Sequence, residues 1–132
     1  MPLRTPHKLR VILTTTGAEE QALSIARVLV SERLAACVNI IGPIRSVYRW
    51  RDAIEDEREF LLIIKTRATL YVKVERRVRE LHTYEMPEVL ALTADRGSPP
   101  YIKWLLESTG AGRIVEKPGT RKLARNWRDA SR

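Results

Sequence analysis

The run Phe60-Leu61-Leu62-Ile63-Ile64 is apolar on both faces of the β-strand that its composition predicts. Successive strand side chains point to opposite sides of a sheet, so Phe60, Leu62 and Ile64 fill one side while Leu61 and Ile63 fill the other. An antiparallel sheet with helices on one side alternates apolar with polar instead. The same doubling occurs at Ala36-Cys37-Val38 with Ile40-Ile41, and again at Val89-Leu90-Ala91-Leu92. A chain of 132 residues with three modest helices has too little material to cover both sides. The second side is expected to need other copies of the chain, which makes the protein an obligate oligomer.

The order of elements follows from local pattern. Leu9 to Thr15 reads as a first strand. Thr16-Gly17-Ala18-Glu19 fits a capping box that opens a helix over about 18–34, with Ala22, Ile25, Ala26, Leu29 and Val30 as its apolar stripe. A second strand over 35–50 is interrupted at Gly42-Pro43, where Pro43 has no donor for a ladder and a bulge is expected. Arg51-Asp52 is the predicted hairpin turn. A third strand runs over 54–66, its charged first half projecting beyond the core. A second helix follows at about 68–82, a fourth strand at 88–93, and a last helix from Ser98-Pro99-Pro100 to Gly110. The sum is α+β: a ferredoxin-like β-α-β-β-α-β order with an extended hairpin and a C-terminal helix. One domain over 9–110 is predicted, between an N-terminal tail, 1–8, and a basic tail, 111–132. In that basic tail Leu123, Ala124 and Trp127 outline a short amphipathic helix.

The net charge of +8 resides at the two ends of the chain. Residues 11–112 are neutral overall, and residues 113–132 set seven Lys or Arg against Glu116 and Asp129. Solvated termini on a neutral domain are therefore expected, with contact to RNA or an acidic partner confined to the tail. Base stacking on the sheet in the manner of RNA-recognition modules is disfavoured, because the face in question is aliphatic. A phosphate-binding loop of the G-x-x-x-x-G-K type is absent, and neither His forms a recognisable dyad with Cys37, which argues against a hydrolase. Cys37, the single cysteine, is expected to pack as a small hydrophobe. No apolar run approaches membrane-spanning length and no secretory leader is visible, so the expected location is cytoplasmic.

Four segments occur in order: Ala35-Ala36-Cys37-Val38-Asn39-Ile40, Ser46-Val47-Tyr48-Arg49-Trp50, Leu62-Ile63-Ile64-Lys65-Thr66 and His82-Thr83-Tyr84-Glu85-Met86-Pro87-Glu88. Together with Tyr101-Ile102-Lys103-Trp104-Leu105 they resemble the CutA divalent-cation tolerance family over about residues 9–108. The resemblance implies a homotrimer of ferredoxin-like subunits with hairpins reaching across to neighbours, and an architecture similar to PII-type signalling trimers. It implies an association with copper and metal-ion tolerance, and no established reaction. In family members credited with copper binding the ligands are a Cys ending the first strand and a His-His pair before the Pro-Tyr motif. Those positions hold Thr14, Leu81 and His82 here, so only His82 remains as a candidate ligand for copper or another divalent cation.

The remaining candidates come from the residues themselves. Tyr48 and Trp50, near the hairpin tip, are placed to stack on a small ligand or to anchor a subunit contact. Lys65 is expected either to pair with Glu88 across the sheet or to offer a cation to an anionic ligand in a cleft between subunits. His82, Tyr84, Glu85 and Glu88 crowd one connection around Pro87 and mark the expected pocket. A non-enzymatic trimer responding to metal ions is the leading expectation. A small anionic ligand between subunits, as in a PII-like module, and tail-borne RNA contact are the alternatives.

Overall fold

Two apolar patterns with different periods meet in this chain, and the computed structural model shows how they pack. It describes residues 8–110 in full and the backbone of residues 3–4. The strands are β1 (Leu3–Arg4), β2 (Leu9–Thr16), β3 (Cys37–Trp50), β4 (Ala53–Arg67), β5 (Leu90–Thr93) and β6 (Arg96–Gly97). The helices are α1 (Glu19–Ser31), α2 (Tyr71–Leu81, entered through a 3-10 turn at Ala68–Leu70) and α3 (Pro99–Glu107). The main sheet has the order β3-β4-β2-β5 with every pair antiparallel, the ferredoxin-like arrangement. The short β1 pairs with β6, so part of the expected N-terminal tail joins a second, two-stranded sheet. The amphipathic helix expected around Trp127 lies outside the described residues.

The core forms where the helical stripes meet one sheet face. Ile12, Leu62 and Ile64 pack with Ile25 and Leu29 of α1 and with Val74 and Val78 of α2. A smaller cluster joins Ile102 and Leu105 of α3 to Leu9 and Ala36. Because Leu9, Val11 and Leu13 share the other face, α3 covers only one end of it. Among the described residues, nothing covers that face above α3. Leu13 lies between Leu90 and Ile63, and Val11 between Leu92 and Lys65, in registered rows across the strands. Leu90 and Leu92 are each more than half exposed. Both faces of the sheet are thus apolar, as Phe60 to Ile64 indicated, and the described residues cover only one of them completely.

Local details depart from the sequence expectations for identifiable reasons. The capping box does not form: Ala18 is the N-cap, and the Thr16 hydroxyl donates to the Ala18 carbonyl at 2.8 Å instead. Helix α1 stops at Ser31, three residues short of Leu34. There Arg33 enters the left-handed region (φ 62°), and the Leu34 amide reaches back to the Leu29 carbonyl while Arg33 N–H reaches Val30. This is a Schellman stop with Arg where Gly is usual. The Arg33 guanidinium offsets the strain by donating to the carbonyls of Gly110 and Glu107, which ties the end of α1 to the end of α3. Strand β5 begins at Leu90, so Glu88 and Val89 stay in the preceding connection.

Beyond Phe60 the hairpin β3-β4 runs on as a two-stranded arm. The two-residue turn Arg51-Asp52 has positive φ at both positions, the geometry whose twist matches the flanking strands. The bulge falls between Ile41 and Ile44, across a cis Gly42-Pro43 bond. A side chain at Gly42 would sit 2.3 Å from Cδ2 of Phe60, so the ring packs flat against bare backbone.

Candidate functional site

The bulge decides which side chains of the arm share a face. Past it, Ile44 lies opposite Glu59, Ser46 opposite Glu57, Tyr48 opposite Glu55 and Trp50 opposite Ala53. Residues directly opposite in an antiparallel pair point the same way. One face of the arm therefore carries the carboxylates Glu55, Glu57 and Glu59 beside two aromatic rings. The other carries Arg45, Val47, Arg49, Ile54 and Arg58, with Asp56 bound to Arg45 through two contacts of 2.8 and 2.9 Å. The arm is polarised by alternation alone.

At the root of the acidic face the connection after α2 folds over the sheet and encloses a groove of about 830 Å3. Its walls include Tyr48, Trp50, Glu59, Tyr84, Glu85 and Glu88. Glu59 is only 5% exposed, and the Tyr84 hydroxyl donates to its Oε2 at 2.8 Å. Gly17 leaves room for that phenol, because a Cβ there would stand 3.0 Å from its oxygen. Burial pushes the Tyr84 phenol well above the usual tyrosine range. The hydrogen bond to Glu59 and the charges of Glu59 and Glu57 push it further. The Tyr48 phenol is raised as well, by desolvation first and then by Glu57, Glu59 and Glu55. Both rings report a negative field. Among the described residues no Lys or Arg lines the groove; Arg51 stands at its rim, stacked on Trp50 and bound to Glu85 at 3.0 Å.

His82 lies beneath this groove and is buried. Its Nε2 stands 2.7 Å from the Thr15 carbonyl, which only accepts, so Nε2 carries the proton. Its Nδ1 accepts the Tyr84 amide at 3.0 Å. The one lone pair of the neutral ring is thereby engaged, and a metal ion at His82 would have to displace that amide. Thr14 points into the core, where its hydroxyl is buried without a hydrogen-bond partner, and Leu81 packs against the same core. An alcohol, a hydrocarbon and an engaged imidazole do not make a copper site, which gathers soft or nitrogen donors. Among the described residues no group of three or more His, Cys, Asp or Glu stands close enough to hold a metal ion.

The structure thus brings Tyr48, Trp50, Tyr84 and Glu88 together in one groove and sets His82 under it as the support of the connection. It separates Lys65 from them. Lys65 does not pair with Glu88: its Nζ donates to Asn39 Oδ1 at 2.6 Å on the open sheet face. Cys37 is half-buried on that same face, opposite Lys65, outside the core between sheet and helices. Sequence reasoning missed Glu59, the most buried carboxylate of the site. The signal was present, since a two-residue turn at Arg51-Asp52 places Ser46 opposite Glu57 and Tyr48 opposite Glu55 by counting. The same counting puts Ile44 opposite Glu59, on that face; what the sequence did not show was the connection after α2, whose Tyr84 buries the carboxylate.

The strand order, the long arm and the open apolar face define a ferredoxin-like α+β protein that carries its groove at the root of an extended hairpin. The chain belongs to the CutA1 divalent ion tolerance protein family, whose model matches residues 10–108. It is similar to the divalent-cation tolerance protein CutA of Thermus thermophilus, with 45% identity over 76% of this chain and 97% of that protein. It is also similar to human Protein CutA, with 40% identity over 79% of this chain and 58% of that longer protein. The solved structure of the Thermus thermophilus protein superimposes with a TM-score of 0.76, covering 77% of this chain and 99% of the other at 44% identity. CutA1 from Oryza sativa gives 0.77 at 38% identity, over 81% and 98% of the two chains. The family match stops short of the basic segment 111–132.

Proposed function

We propose that the chain serves divalent-ion tolerance without catalysis, as a homotrimer that takes a divalent cation weakly at the acid-lined groove. The observation that supports this most is the groove itself, walled by Glu59, Glu85 and Glu88 with no Lys or Arg among the described residues that line it. Carboxylate oxygens suit hard divalent cations better than copper, and the loose spacing of the acids sets the contact at low affinity. The same charges oppose a small anionic ligand there. Oligomerisation is supported by the open rows around Leu13 and Ile63 and by the arm, whose Val47 and Ile54 are 64% and 69% exposed. A two-stranded hairpin is marginal by itself, so the arm gains most from contact with a second copy. No described helix is long and apolar enough to cross a membrane, and a cytoplasmic location is proposed with this reading.

Titration calorimetry with magnesium, manganese, zinc and copper ions tests the cation contact. The expected result is saturable binding at about millimolar concentration, weakened several-fold by Glu88→Gln. Absence of heat with every ion would sink the cation reading.

A further inference from the structure

We infer that the basic C-terminal segment of this chain, residues 111–132, docks across the acidic face of the arm and occupies the groove. The structure supplies a negatively charged cleft, and the sequence supplies a tethered polycation. Glu55, Glu57 and Glu59 line one face of β4, and Glu85 and Glu88 join Glu59 in the groove from the connection after α2. Among the described residues, Glu85 alone of these has a basic partner, Arg51. Both phenols in the groove, Tyr48 and Tyr84, are held up in part by that uncompensated field. The segment offers Arg113, Lys117, Arg121, Lys122, Arg125, Arg128 and Arg132 against Glu116 and Asp129. Trp127, between Arg125 and Arg128, adds a ring to set beside Tyr48 and Trp50.

Reach permits it. Gly110 is bound to Arg33 and lies against Arg67 at one end of β4. Glu59 lies eight residues further along that strand, roughly 26 Å away at a strand's rise per residue. The residues after Gly110, extended, span on the order of 70 Å. The tether also decides between occupants. A tether of this reach gives an effective concentration of about 1 mM, so an intrinsic affinity near 0.1 mM fills the groove about ten to one. The competing basic surface, the Arg45, Arg49 and Arg58 face of a neighbouring copy's arm, is partly neutralised by its own Asp56. The segment lies beyond the residues that the family model matches.

Hydrogen exchange on the full chain, read by mass spectrometry, tests the inference. In low salt the combined variant K117E, R121E, K122E and R125E is expected to exchange about tenfold faster than wild type at residues 46–50 and 83–88. The amides around Ile12 and Leu62 stay unchanged and show that the fold is intact. Glu88→Lys in the otherwise wild-type chain is expected to act in the same direction. Groove exchange equal to wild type in the tail variant overturns the inference and leaves a neighbouring copy as the occupant. Acceleration that extends equally to the Ile12 and Leu62 amides overturns it too. The inference rests on the same groove as the cation reading, but the two fail separately: this experiment contains no divalent ion, and the calorimetry reads ion heats.

Discussion

Tyr84 connects the groove to the stability of the fold. Its hydroxyl is the donor that satisfies the buried Glu59 carboxylate. Tyr84→Phe keeps the ring over Gly17 but leaves that carboxylate short of a partner. A loss of about 1.5 kcal/mol is expected, the lower end for a hydrogen bond to a charged group because the tyrosine is partly exposed. The phenol also gives the wild type an alkaline signature. Its proton is held more tightly in the folded state than at the ordinary value of 10. That contribution to stability is complete below about pH 10 and declines as the pH rises further, because only the unfolded chain then releases the proton. The difference in urea midpoint between wild type and Tyr84→Phe is therefore expected to narrow from about pH 9 to about pH 11. Thr14 gives the opposite test. Its buried hydroxyl has no partner, so Thr14→Val is expected to stabilise by about 1 kcal/mol in the same urea titration.

At the scale of elements, what held in the sequence was what depends on periodicity. The α1 stripe from Ala22 to Leu29, the bulge at Gly42-Pro43 and the turn at Arg51-Asp52 lie where their patterns put them, because burial and turn geometry are local; Val30, expected on that stripe, is exposed. What escaped depends on partners distant in the chain. Arg33 reads as an ordinary helical residue until α3 arrives from 74 residues away to take its hydrogen bonds. Thr16 fits a cap until β2 retains it as a strand residue. The fate of Lys65 turned on Asn39, which only the pairing of β3 with β4 brings alongside it. Arg33→Ala tests the coupling at this scale. It removes two hydrogen bonds to the end of α3 while keeping the left-handed backbone strain. It is expected to cost about 1–2 kcal/mol and to speed hydrogen exchange first at residues 105–110.

Across the whole molecule, charge and apolar surface are distributed in ways a single copy leaves incomplete. The described domain is close to neutral while its arm is polarised, acidic and aromatic on one side, basic and aliphatic on the other. The sheet presents Val11, Leu13, Leu61 and Ile63 on the face that α3 only partly covers. Shielding a few hundred Å2 of such surface per subunit contributes several kcal/mol, at about 25 cal/mol per Å2, before association entropy is subtracted. That balance favours assembly over exposure. Sedimentation equilibrium at micromolar concentration tests this most directly. The account predicts a single species with three times the 15.2 kDa mass of the chain, shifting to smaller species when Leu13→Lys and Ile63→Lys charge the open face. A wild-type protein that sediments at 15.2 kDa while its circular dichroism stays native would contradict it.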